Sequence, residues 1–351
     1  MFHDLLVSFA ERWVIKMKQK NIQTVQVLRG IACVAIVLFH LPSEWGGVRA
    51  NYSAFPLAIF FLLTGYFLLE GTRRTEKDYF KKKIVRIIPL YWSLTLLIFA
   101  VSFVMPGINH GRNYTMENLI KSLFFIPYYN SDGKLFPILG VGWTLIIEVY
   151  DYIIFWAIYK LLRKLKYRDV LALLIMSGTI IFGCVLKLYL HNSPILDIWT
   201  NKYQLSFILG LFLSCLKQCK GTSEKKYIVT WPYILIGFAV VFYILCYRIP
   251  DNYAWISAFV LVAASVSIFN EIEFPQWSVY LGNISYSVYL IHKFVIAVAE
   301  KIVAHVSVTP ITVFAGVIFV FVVTIAAATV SYNLIEKRFG GFLKRTLCRN
   351  L

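Results

Sequence analysis

The sequence predicts an all-α membrane protein, a polytopic helical bundle of about ten transmembrane helices with both termini cytoplasmic. Three observations lead there. Apolar residues make up 59% of the 351 positions and charged residues only 15%, with a mean hydropathy of +0.69. A soluble core stops growing at roughly 250 to 300 residues and has no place for so much apolar surface. The apolar stretches run unbroken for ~17 to 25 residues without two-residue alternation, which specifies helices and not barrel strands. Finally, Lys and Arg concentrate in alternate connections, as they do when positive loops are retained on the cytoplasmic side.

The spans are expected at 25–44, 54–70, 87–105, 141–159, 169–190, 203–216, 228–247, 253–269, 278–299 and 309–335, each end good to about three residues. The sixth is short for a span at ~1.5 Å per residue. With the N-terminus inside, the inner segments 1–29, 71–86, 160–168, 217–226, 270–277 and 336–351 hold 26 of the 35 Lys and Arg. The reverse orientation would put most of that charge outside. Segment 270–277 contributes none. The net charge of +17 then reflects this bias and attraction to the anionic headgroups of a lipid bilayer, so no nucleic-acid partner is expected.

Residues 1–20 place Phe2, Leu5, Leu6, Phe9 and Trp13 on one helical face beside Arg12, Lys16, Lys18 and Lys20, the pattern of a helix lying in the membrane interface. A signal peptide would carry its basic region first, and Met17 is an alternative start. Residues 21–339 are expected to form the transmembrane domain and 340–351 a basic cytoplasmic tail. The six cysteines, Cys33, Cys184, Cys215, Cys219, Cys246 and Cys348, fall in spans or at the inner face, which gives no disulfide framework. Cys215 and Cys219 lack a partner cluster, so no metal site is expected.

The first span, "LRGIACVAIVLFH" at 28–40, carries an arginine near one end and a histidine at the other. Arg29 and His40 are eleven residues apart, three turns plus about 20°, and so share a face about 16 Å apart along the axis. Ala32, Cys33 and Ile36 lie between them, with Gly30 and Ala35 alongside. Alone, Arg29 reads as a snorkelling anchor and His40 as a histidine bonded to a neighbouring helix. Together on one face within a membrane they favour function.

Arg, ten residues, then His in a first span resembles the signature of the acyltransferase 3 family of membrane acyltransferases. "FFLLTGYFL" at 60–68, with Thr64 and Tyr66 in place of the usual Ser and Phe, is similar to that family's second span, and "RIIPLYW" at 86–92 to the start of its third. "WTLIIEVYDY" at 143–152 resembles its Trp-Ser-Leu-x-Val-Glu motif, and "LGNISYSVYLIH" at 281–292 and "SYNLIEKRF" at 331–339 resemble its last two spans. The resemblance implies transfer of an acyl group, usually acetyl from acetyl-CoA as donor substrate with no bound cofactor. The acceptor would be a hydroxyl of a cell-surface glycan or another lipid-linked or small-molecule acceptor, and the setting a bacterial cell membrane. It implies that His40 is catalytic and Arg29 essential. Val149 stands where many members have a second Glu, and Asp151 where an aromatic is usual, which leaves open which carboxylate assists His40.

The residue chemistry agrees. A hydroxyl attacks a thioester as its proton is removed, and imidazole with an ordinary pKa of ~6.5 suits that role. Such a base usually works with a carboxylate that fixes its tautomer. Counting depth from the expected span ends puts His40, Glu148 and His292 at one level in the outer half, each within ~5 Å. Glu148 is therefore the expected partner, with Asp151 one turn on. His292, Ser285 and Tyr289 form a stripe suited to the acceptor path or to support of the site. Phosphates of the donor need cations. Among Arg73, Arg74, Lys81, Lys82, Lys83 and Arg86 most read as orientation signals, and Arg86, which opens a motif, is the expected donor contact. Glu336 is expected to pair with a basic neighbour at the inner face. The long connection 106–140 carries Tyr114, Phe124, Phe125, Tyr128 and Tyr129, suited to sugar stacking or to an interfacial belt. The competing class is a polysaccharide exporter or transporter subunit, weakened by the lack of an inverted repeat or of a pair of Gly/Pro-broken helices.

Overall fold

The computed structural model describes residues 23–42, 45, 54–74, 79–104, 114–219, 254–268, 274–305 and 309–347, and every regular element among them is helical. They are α1 (Gln23–His40), α2 (Ala54–Arg74), α3 (Tyr79–Val104), α4 (Met116–Leu123), α5 (Trp143–Leu161), α6 (Arg168–Lys187), α7 (Pro194–Trp199), α8 (Tyr203–Cys219), α9 (Ala254–Ile268), α10 (Gln276–Ala304), α11 (Pro310–Ser331) and α12 (Gly340–Leu347). A 3-10 turn, Gly140–Gly142, leads into α5, and a π-helical stretch, Tyr332–Phe339, joins α11 to α12. Six of the helices are long and apolar enough to cross a membrane: α1, α2, α3, α5, α6 and α11 with its continuation. α8 is apolar but shorter. The expected span 228–247 and the expected interfacial segment 1–20 lie outside the described residues.

Helices in lipid gain little from apolar burial against one another, so close backbone packing through small residues does much of the joining. Three glycines mark the sites where it happens. A Cβ on Gly65 of α2 would meet the Phe207 carbonyl oxygen of α8, and one on Gly210 of α8 would meet the Leu62 carbonyl oxygen of α2. α9 packs on both helices. Likewise, a Cβ on Gly282 of α10 would meet the Gln26 carbonyl oxygen of α1. α6 and α11 turn Leu174, Ile181, Phe182, Ile311, Phe314 and Val322 outward, as lipid-facing helices do.

Polar ties also gather at one set of helix ends. Arg73, on α2, donates from Nε to Asp169 Oδ2 of α6 at 2.7 Å and from Nη1 to Ser214 Oγ of α8 at 3.0 Å, and pairs with Glu70 at 3.1 Å. Tyr159 of α5 donates to the same Asp169 at 2.9 Å. Four helices thus meet around the Arg73–Asp169 pair, whose arginine charge counting reads as an orientation signal. α3 begins at Tyr79, not near 87, because the basic run 81–86 is itself helical. Lys and Arg are good helix formers whose stems lie along apolar surface while their charges reach polar surroundings.

At the opposite end of α3, Thr115 caps α4 by accepting from the Asn118 amide. Tyr91 and Trp92 of α3 donate to the Ser122 and Leu123 carbonyls at 3.0 and 2.8 Å. Phe125 and Tyr128 are buried, and Phe125 stacks on Tyr91 with ring centroids 4.8 Å apart. These two aromatics hold the connection down, whereas Phe124 is exposed. Tyr129 donates to Asp197 Oδ2 at 2.6 Å, and Lys187 pairs with Asp197 Oδ1 at 2.7 Å, clasping the connection to α6 and α7. Burial pushes the Asp197 carboxyl up, but hydrogen bonds from Lys187 and Tyr129, with the Lys187 charge, hold it below its ordinary value. Burial and the Asp197 hydrogen bond push the Tyr129 phenol up to about 12.

Candidate active site

α1 and α10 run side by side in a constant register. Gly30 faces Gly282, the Cys33 thiol donates to the Ser285 carbonyl at 3.3 Å, and His40 meets His292, each pair separated by 252 positions. Positions 30, 33, 37 and 40 follow the three-and-four spacing of a helix seam, and Cys33, Val37 and Leu41 pack with Ile284 and Val288 in one buried cluster. The glycines bring the backbones together. At ten residues further on, ~15 Å along each axis, the histidines face each other.

The His40 and His292 ring centroids are 4.9 Å apart, and His292 Nε2 lies 3.2 Å from His40 Nδ1. Each ring also has its Nδ1 near the carbonyl one turn earlier: Ile36 at 2.9 Å for His40 and Val288 at 3.3 Å for His292. His292 is fully buried.

Beside this pair lies a cavity of about 100 Å³ bounded by α1, α2, α3, α5 and α10. Its charged lining is Arg29, Lys83, Arg86 and Glu148, and Thr64, Thr144, Ser285, Tyr286 and Tyr289 add polar groups. Arg86 Nε pairs with Glu336 Oε2 at 3.4 Å, and Ser287 donates to Glu336 Oε1 at 2.6 Å. The π-helical stretch that carries Glu336 is a departure from i→i−4 bonding of the kind that often marks functional positions. Lys83 lies over the Tyr79 and Tyr152 rings, 5.4 and 5.3 Å from their centroids. Among the described residues neither Arg29 nor Lys83 forms an ion pair. Tyr152 and, at 3.5 Å, Thr64 donate to Glu148. Tyr289 joins cavity and imidazoles: it lines the cavity, its ring centroid is 5.9 Å from that of His292, and its hydroxyl bonds Thr144 at 2.9 Å.

Of the residues singled out in the sequence, Arg29, Arg86, Glu148, Ser285 and Tyr289 share the cavity, and His40 stands outside its lining beside His292. Among the described residues the side chain at hydrogen-bond distance of His40 is therefore an imidazole and not that of Glu148, which faces the cations. Equal depth does not bring two helices' side chains together when they point in different directions. Asp151 turns from the cavity to α8, where Gln204 Nε2 donates to its Oδ1 at 2.8 Å. Three residues after Glu148 a helix has rotated by about 60° from the starting face, enough to move Asp151 to another neighbour. Lys83 enters the cavity although it reads as an orientation charge. Its spacing of three from Arg86 is the available signal, since such pairs share a helix face.

A multi-helix bundle apolar enough for several membrane crossings, with an imidazole pair and a cation-lined cavity among its helices, has the equipment of a membrane-embedded transferase. Residues 22–332 match the acyltransferase domain family, and this chain belongs to that family: it is an acyltransferase. It is 26% identical over 313 residues to the exopolysaccharide production protein ExoZ of Rhizobium meliloti (strain 1021), covering 86% of this chain and 93% of that one. It is 24% identical over 350 residues to the O-acetyltransferase OatA of Staphylococcus aureus (strain NCTC 8325 / PS 47), covering 88% of this chain and 55% of OatA. The chain thus spans about half the length of OatA. No solved structure matches it.

Proposed function

We propose that this protein transfers an acetyl group from acetyl-CoA, taken from the cytoplasmic side, to a hydroxyl of a cell-surface glycan or lipid-linked saccharide. The observation that carries this reading is the cavity in which Arg29 and Lys83 have no carboxylate partner among the described residues, next to His40. Cations set among apolar walls favour an anionic ligand, and a CoA ester carries phosphates. The names of ExoZ and OatA point the same way, toward a polysaccharide and toward O-acetylation.

In this reading both termini are cytoplasmic and the bundle sits in the cell membrane. Arg29, Lys83 and Arg86 hold the phosphates or the pantetheine amides of the donor, with Arg86 poised by Glu336. The acceptor oxygen attacks the thioester carbonyl carbon as His40 takes its proton. The C–O bond forms, the C–S bond breaks, and the proton passes from His40 to the departing thiolate, giving the acetyl ester and free CoA. Ser285 and Tyr289 line the way between cavity and base.

The test is acetylation of surface glycan in cells that carry His40→Ala or His40→Gln, with protein level and membrane insertion checked by blot. Both variants are expected to insert normally and to form no acetylated product, a loss of ~100-fold or more for a general base. Near-normal acetylation by a well-expressed His40→Ala protein overturns the mechanism.

A further inference from the structure

The contacts of the two histidines determine where their protons sit. A carbonyl oxygen only accepts, so Ile36 and Val288 each call for an N–H at the Nδ1 that faces them, 2.9 and 3.3 Å away. A neutral imidazole carries one proton, so Nε2 of His292 is then a bare lone pair, and it lies 3.2 Å from the protonated Nδ1 of His40. The opposite arrangement, with His292 Nε2–H donating to His40, sets two nitrogen lone pairs against two carbonyl oxygens. Only the first arrangement satisfies all three contacts. It leaves Nε2 of His40 without a proton.

We propose that His292 is the positioning residue of the reaction, accepting from His40 Nδ1–H and so keeping His40 Nε2 as the proton acceptor. This rests on the reading of His40 as the general base. The position is the one a carboxylate holds in other base-assisted acyl transfers, filled here by a neutral group. When His40 takes the acceptor proton, its Nδ1–H becomes part of an imidazolium, and the hydrogen bond to His292 becomes charge-assisted and stronger. Stabilisation therefore arises as the acceptor is deprotonated, and no buried anion is needed in the resting site. The seam between α1 and α10 holds the two rings, since the Gly30–Gly282 approach and the Cys33–Ser285 hydrogen bond fix the register that brings them opposite each other.

Three variants separate this role from packing. The amide of Gln reaches where Nε2 of a histidine lies and supplies an accepting oxygen there, whereas the amide of Asn reaches only the Nδ1 position, and Leu supplies no acceptor. Membranes from expressing cells, which carry the cell's own saccharide acceptors, are given varied acetyl-CoA, and free CoA is read with a thiol reagent. His292→Gln is expected to keep the maximal rate within ~3-fold, and His292→Asn and His292→Leu to lose ~10-fold or more, with the KM for acetyl-CoA unchanged in all three. Equal rates for Gln and Asn at matched protein levels, or a full rate for Leu, overturn the assignment. A raised donor KM in place of a lowered maximal rate overturns it too, because it moves His292 to the donor site. Wild-type membranes that release no CoA overturn the acetyl-transfer reading itself, an outcome distinct from the others.

Discussion

Arg29 lines the cavity with Lys83, Arg86 and Glu148, so its charge and its shape can be tested separately. A guanidinium makes planar, two-pronged contacts with phosphate that an ammonium cannot reproduce. If Arg29 holds the donor that way, Arg29→Lys costs about 1.5 to 3 kcal/mol of donor contact, roughly tenfold or more in kcat/KM. Arg29→Ala is expected to lose more. If Arg29 only anchors α1 by snorkelling, the lysine variant keeps full activity while the alanine variant inserts poorly. Comparing the two in one CoA-release assay decides. The link from Arg29 to His40 is legible from helical period alone, since both lie on one helix. The link from His40 to His292 is not. It depends on where two helices far apart in the sequence cross, and nothing local to either one states the crossing point. Glu148 shows the same limit, for residue counting gives depth along an axis but not rotation about it.

At the scale of elements, the α1–α10 crossing is set by a glycine with no room for a side chain. Gly282→Val forces its Cβ into the Gln26 carbonyl of α1. Overpacking of this kind costs about 1 to 3 kcal/mol, and it also moves His292 off His40. The expected result is a lowered melting temperature in detergent together with lost acyl transfer. Gly178→Ala on α6, where a Cβ meets nothing within 4 Å, is expected to leave both unchanged or to raise stability slightly. Retained activity in a well-folded Gly282→Val protein contradicts the seam.

The clasp of Tyr129, Asp197 and Lys187 responds to pH at both extremes. Asp197 is held below its ordinary 3.8, so its contribution is full above that value and is lost as pH falls through the lower folded one. Tyr129 is held above its ordinary 10.0, at about 12, so its contribution is full below pH 10.0 and is lost as pH rises toward 12. Hydrogen-exchange protection of residues 124–139, measured against the intrinsic rate at each pH, is expected to fall in acid in the wild type. In Asp197→Asn protection is expected to be low already at neutral pH. The same protection in both proteins at neutral pH contradicts the clasp.

For the whole molecule, composition made the helical architecture readable: among the described residues every regular element is a helix, and six are long and apolar enough to cross a membrane. Helices lie at 23–40, 54–74 and 143–161, over most of the apolar stretches expected at 25–44, 54–70 and 141–159, because a span must satisfy its own backbone and so announces itself locally. Helix ends were less readable where charged residues continue the helix, as at 79–86 of α3. The π-helical turn that aims Glu336 at Arg86 left no trace in the apolar pattern. What the bundle does as a unit is best tested by sidedness. Purified protein in vesicles, oriented by protease mapping of the termini, receives acetyl-CoA on one face at a time with a saccharide acceptor present, and CoA is measured on the same face. The expected result is CoA release only when acetyl-CoA is supplied on the face bearing the termini and the basic connections, and none from His40→Ala protein. Release supported from the opposite face alone, or no release from either face by wild-type protein that moves the saccharide across, would contradict a donor site reached from the cytoplasm and a base at His40.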